Sequence, residues 1–183
     1  YKAVFDDVID GGLDNDTLIL IDGTNTAAGG AGDDTITASG GTNTIATDGG
    51  ANTVVLAGGS NTVTGGTGSD SISTTSGTNV ISAGDGTDTI QLNGGFNTVN
   101  AQAGNDSITA SSGYNTIDAG EGHDVITLSG GGNTVQGNSG ADSITATGGT
   151  NVIDAGADND TLTLSDGNNT VWRSEEHTSE LQS

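Results

Sequence analysis

Short aliphatic anchors recur along the chain at a fixed spacing, separated by runs of Gly, Thr, Ser, Asn and Asp. Stepping eighteen residues at a time gives Ile9, Ala27, Ile45, Val63, Ile81, Val99, Ile117, Val135, Ile153 and Val171. A second column, offset by nine, reads Leu18, Ile36, Val54, Ile72, Ile90, Ile108, Ile126, Ile144 and Leu162. Neither column is interrupted by an insertion or deletion, and a period in this range signals a solenoid. Two anchors nine apart predict two short strands per 18-residue unit, joined by two Gly-rich corners.

Alternate residues of a strand face opposite sides, so each anchor predicts a second inward position two residues on. After Leu18 that column reads Leu20, Ala38, Leu56, Thr74, Leu92, Ala110, Leu128, Ala146 and Leu164, with large and small residues mostly alternating. After Ile9 it is small throughout: Gly11, Gly29, Thr47, Gly65, Ala83, Ala101, Ala119, Gly137 and Ala155. The expected fold is all-β, a parallel β-roll or β-solenoid of about nine rungs, with two sheets facing each other across a thin core. At ~4.8 Å per rung it makes a rod on the order of 43 Å long. Residues 1–8 read as an irregular lead-in, residues 9–172 as the repeat domain, and residues 173–183 as a non-native tail. A chain that begins at Tyr1 and holds no Met reads as a segment of a longer protein.

Charge changes this picture. The net charge is −22, from 24 acidic and 2 basic residues. So acidic a chain with so few aliphatic residues falls on the disordered side of the usual boundary, unless a regular repeat concentrates its apolar residues or a ligand cancels the charge. The acidity argues against nucleic acid and against anionic membranes. No apolar run approaches a membrane span, and no membrane insertion is expected of this segment. No signal peptide is visible. With no Cys, the fold does not rely on disulfides.

The two corners differ chemically. One carries Asp16, Asp34, Asn52, Asp70, Asp88, Asp106, Asp124, Asp142 and Asp160; the other carries Asn25, Asn43, Asn61, Asn79, Asn97, Asn115, Asn133, Asn151 and Asn169. Stacked Asp side chains repel, and a cation between rungs reverses the sign. Calcium takes six to eight oxygen ligands, carboxylates and carbonyls among them, whereas magnesium holds its waters in a tighter octahedron. Zinc favours His or Cys. Gly allows the positive φ that aims carbonyls inward. The competing reading is that Asp merely bonds to the backbone at turns. The Asn edge offers neutral amides, which stack and bond rung to rung without metal.

Gly29-Gly30-Ala31-Gly32-Asp33-Asp34-Thr35-Ile36 reads G-G-x-G-x-D-x-U, with U a large aliphatic. It resembles the calcium-binding nonapeptide of the RTX, or haemolysin-type, family, and the resemblance extends over Val8 to Val171. It implies that each calcium ion is shared by two successive loops on one edge. The implied ligands are Asp16, Asp34, Asp70, Asp88, Asp106, Asp124, Asp142 and Asp160. Backbone carbonyls would come from Gly29, Gly30, Ala31, Gly32, Gly65, Gly66, Thr67, Gly68, Gly84, Gly86, Gly104, Gly120, Gly122, Gly140 and Gly156. The fit is uneven. Ala83, Ala101, Ala119 and Ala155 replace the first Gly, while Gln102 and Asn138 replace the second. Thr47-Asp48-Gly49-Gly50-Ala51-Asn52 is the weakest loop, so the intervals flanking Asn52 are expected to be weak or empty, with Asp48 as the candidate to compensate. The Asn corner departs from a family pattern that has Asp on both edges.

The resemblance further implies a secreted or surface protein of bacterial type, exported unfolded through a type I system. The expected role is a non-catalytic, calcium-triggered rigid spacer, as in adhesins, or the repeat segment of a toxin or hydrolase. A metal-independent solenoid and an ice-binding module are the rival readings. Outward Thr ranks such as Thr37, Thr109 and Thr145 suit the latter, but Ile19, Val55, Gln91 and Val125 interrupt them. Phe96 and Tyr114 share a column on the Asn edge, where mutual packing is favoured over a sugar platform. His123 reads as solvated, without the partners of a base or zinc ligand. No catalytic constellation stands out. Residues 173–183 resemble translated sequencing adapter, with Trp172 at the junction.

Overall fold

The computed structural model describes residues 1–3 and 6–172, which form strands and turns with no helix; the expected non-native tail lies outside them. Two ten-stranded parallel sheets stand face to face. One contains Lys2–Ala3 followed by four-residue strands from Thr17–Leu20 to Thr161–Leu164, and the other runs from Val8–Leu13 to Asn168–Trp172. Each strand pairs with its equivalent one rung away: Ile90 lies opposite Ile72 and Ile108, Asn79 opposite Asn61 and Asn97. This is the parallel β-solenoid that the period predicts. Trp172 extends its strand opposite Asp154.

The register explains why the core needs so few apolar residues. An uninterrupted period stacks like on like, so each anchor is covered by its equivalents above and below and by the facing sheet. Both anchor columns are buried, with only Ile9 and Val171 partly exposed at the ends. Both second inward columns are also interior: Leu20, Ala38, Leu56, Leu92, Ala110, Leu128 and Ala146 from one sheet face Ala83, Ala101 and Ala119 from the other. Among the described residues, a single departure from the period occurs at the start. Lys2–Ala3, in a stretch expected to be irregular, form a short strand with Lys2 opposite Ile19 and Ala3 opposite Leu20. That register is one residue short of the repeat. It sets exposed Lys2 against the outward Ile19, not the buried Leu20, because a one-residue shift exchanges the two faces of a strand.

The Asn corner closes on itself. Each Asn side chain is buried from Asn25 to Asn151. Its Nδ2 donates to Oδ1 of the next rung's Asn, 2.8 Å from Asn79 to Asn97 and from Asn97 to Asn115. It also donates to the carbonyl three residues back, as from Asn97 to Gly94. The ladder is continuous from Asn25 to Asn169, with donors and acceptors matched inside the protein as that spacing of neutral amides predicts.

The ladder carries one prediction. Asn97→Ala removes the acceptor of Asn79, the donor to Asn115 and the donor to Gly94, leaving buried polar groups unmatched at ~1–3 kcal/mol each. Urea denaturation at saturating calcium is expected to show a loss of roughly 2–4 kcal/mol. An unchanged midpoint would mean the ladder contributes no net stability.

Candidate metal-binding edge

The opposite corner begins as a ladder too. From Asp16 to Asp142 the backbone N–H of each Asp donates to Oδ1 of its equivalent on the next rung, 2.8 Å from Asp16 to Asp34, 2.7 Å from Asp70 to Asp88 and 2.8 Å from Asp106 to Asp124. Asp therefore does bond to backbone, as the turn reading expects. That bond uses one carboxylate oxygen. The other, Oδ2, is buried without a hydrogen-bond partner in Asp16, Asp34, Asp70, Asp88, Asp106, Asp124 and Asp142. The Asn edge leaves no such remainder.

Glycine shapes this corner. Gly30 and Gly32 have φ of 101° and 130°, and a Cβ on them would lie 2.1 Å from the Gly12 carbonyl oxygen and 2.5 Å from that of Asp14. Consecutive loops stack backbone on backbone, placing Gly29, Gly30, Ala31 and Gly32 in the loop that carries Asp34. The same repeat places Gly65, Gly66, Thr67 and Gly68 with Asp70, Gly84 and Gly86 with Asp88, and Gly104 with Asp106. Further on it places Gly120 and Gly122 with Asp124, Gly140 with Asp142, and Gly156 with Asp160. The first glycine also makes room for the carboxylate, since a Cβ on Gly29 would meet Asp34 Oδ2 at 2.2 Å. Ala fills that position at Ala83, Ala101 and Ala119, and the Oδ2 atoms of Asp88, Asp106 and Asp124 remain buried and unpartnered there.

Burial dominates the electrostatics. It raises Asp106 from the usual 3.8 to about 7; the N–H of Asp88 offsets part of this and the charges of Asp88 and Asp124 add to it. Asp142 is pushed up to about 7 by burial, against the Asp124 N–H and with repulsion from Asp124, Asp160 and Asp158. Burial also raises Asp88 and Asp124. Asp70 rises only to about 6, because the Asn52 N–H and amide oppose its burial. Unlike the others, Asp16 and Asp160 are half-buried at the two ends of the row. No group of three or more acidic or His side chains converges among the described residues, so a cation here would draw its remaining ligands from the loop carbonyls. A hard cation taking mixed carboxylate and carbonyl oxygens fits the buried unpartnered Oδ2 atoms.

Asn52 is the exception. Its Oδ1 accepts from Asp34 N–H at 2.8 Å, keeping the ladder intact, while Nδ2 takes the place of the spare oxygen and donates to Gly50 O at 3.3 Å. Asp48 is exposed with φ of 63° and is not among the buried unpartnered carboxylates. Two features were missed in the sequence. The Thr47 hydroxyl bonds the Gly65 carbonyl, a position that reads simply as a small inward residue. In the fifth loop position, side chains cap the next rung: Asn15 Oδ1 accepts from Asp33 N–H, Asp33 from Ala51 and Asn105 from His123, each at 2.8 Å. His123 Nδ1 in turn accepts from Ala141 N–H at 2.8 Å, so His123 is exposed but belongs to the corner. Recurrence of Asn and Asp in that column was the available signal.

On the Asn edge, Phe96 and Tyr114 stack with centroids 5.4 Å apart and planes 9° from parallel, the mutual packing expected of them. In the outward ranks Ile19 and Val125 are exposed.

No curated protein matches the chain. The family model for the RTX calcium-binding nonapeptide repeat matches residues 5–19, 21–54, 57–90, 91–126, 100–135, 128–162 and 136–171. Calcium is thus the ion that these repeats bind, and the chain belongs to the RTX calcium-binding nonapeptide repeat family.

Proposed function

We propose that this segment is a calcium-triggered folding module that becomes a rigid spacer in a secreted or surface protein. The observation that carries the reading is the row of buried Oδ2 atoms without partners. Calcium sits between Asp16 and Asp34, and between successive members from Asp70 to Asp160, completed by loop carbonyls such as those of Gly29 to Gly32 and Gly65 to Gly68. The turn-ladder alternative accounts for Oδ1 from Asp34 to Asp160 and leaves Oδ2 unexplained from Asp16 to Asp142. Without calcium, keeping these carboxylates ionised and buried costs the fold on the order of a few kcal/mol per rung. With calcium, binding energy becomes folding energy. A chain exported at low calcium stays unfolded and orders once outside the cell.

Proton linkage gives the sign of the pH effect. Asp70, Asp106 and Asp142 have folded-state values of about 6, about 7 and about 7, above the ordinary 3.8. The folded metal-free state therefore binds more protons than the unfolded chain between these limits, and its stability falls as pH rises through them. Calcium needs the ionised form, so its affinity rises over the same interval.

Two outcomes are expected. Circular dichroism in excess chelator shows little strand at pH 7.5, and added calcium restores it; full strand content in chelator with no calcium response contradicts the switch. In calcium-free buffer, strand signal is greater at pH 5 than at pH 8, whereas under saturating calcium the melting temperature is higher at pH 8. The same pH trend with and without calcium would show that the buried carboxylates are not its ligands.

A further inference from the structure

We propose that the rung from Thr47 to Leu56 is a cation-free joint that divides the carboxylate edge into two separately loading blocks, Asp16–Asp34 and Asp70–Asp160. The inference rests on the calcium reading above and concerns which intervals fill and in what order.

Three observations converge on this rung. The ladder orients the Asn52 amide: Oδ1 must face the Asp34 N–H, and Nδ2 is left facing the Gly50 carbonyl. The atom lost on replacing Asp by Asn is thus the spare oxygen, and what replaces it is a donor. A donor cannot ligate a cation, and this one occupies a carbonyl of its own loop. Below Asn52, the Thr47 hydroxyl takes the Gly65 carbonyl, a ligand position of the next loop. Three backbone bonds of this loop are also longer than those of later loops, while Thr67 N to Asp48 O stays at 2.8 Å. Gly32 N to Gly49 O, Gly49 N to Gly30 O and Gly50 N to Thr67 O measure 3.3, 3.2 and 3.1 Å, against 2.9, 2.8 and 2.8 Å for Gly68 N to Asp85 O, Gly86 N to Ala103 O and Gly104 N to Glu121 O.

At its ladder position the joint carries a neutral amide bonded within the protein, and its one carboxylate, Asp48, faces solvent, so it needs no ion to stack. It does not transmit cation bridging either. In a solenoid, stability is roughly a sum of rung terms and nearest-neighbour interfaces. The long block has five bridgeable intervals, from Asp70–Asp88 to Asp142–Asp160, and the short block one, Asp16–Asp34. The short block therefore orders at higher calcium than the long block.

Hydrogen exchange with mass spectrometry on the full chain, at stepped calcium, reads the order of folding, and native mass spectrometry counts bound calcium. In the unaltered protein, amides of residues 17–45 become protected at several-fold higher calcium than those of residues 71–146. Asn52→Asp adds two ions, in the intervals to Asp34 and Asp70, and merges the two steps. Asp88→Asn, which copies the joint into the long block, removes two ions and creates a new protection boundary there. If the unaltered chain binds calcium but both variants leave the count and protection order unchanged, the joint is refuted while the calcium reading stands. If the unaltered chain binds no calcium, both are refuted.

Discussion

A carboxylate buried at the same corner of nearly every rung constrains everything else in this structure. The strict period that concentrates a sparse supply of Ile, Val and Leu into a continuous core also stacks Asp upon Asp. The chain cannot have one without the other, because a displacement by a single residue would turn the anchors outward. Backbone N–H groups meet one oxygen of the carboxylates from Asp34 to Asp142, and the other oxygen stays buried without a partner.

The two corners are two answers to the same geometry. An Asn side chain carries one donor group and one acceptor, so it satisfies the rung above, the rung below and its own turn, as Asn97 does between Asn79, Asn115 and Gly94. An ionised Asp has only acceptors. Its Oδ1 finds the neighbouring N–H and its Oδ2 finds nothing. Asn on one edge bonds rung to rung within the protein, and Asp on the other leaves a row of buried carboxylate oxygens without partners. Asn52 shows the Asn solution transplanted into the Asp edge: the ladder survives and the spare oxygen disappears.

The fold was legible because the information is in the period. Ile9 to Val171 and Leu18 to Leu162 place both sheets, their register and the core without reference to any tertiary detail. The residue types of the candidate site were legible: Asp at a fixed step, Gly where φ is positive, and Asn52 as the member without a second carboxylate oxygen. What the pattern could not reveal is how the atoms divide their bonds. That Oδ1 is used by backbone and Oδ2 left over depends on the lateral offset between rungs, which no spacing encodes. The Thr47 hydroxyl, the His123 cap and the one-residue slip that seats Lys2 beside Ile19 depend on individual side chains in columns whose composition varies.

The central claim is that calcium bridges the Asp edge alone. Anomalous diffraction from crystals grown in calcium tests it directly. The account predicts anomalous peaks between adjacent Asp rungs in contact with their Oδ2 atoms, and none along the edge from Asn25 to Asn169. Peaks absent from the Asp edge, or present equally on the Asn edge, would contradict it.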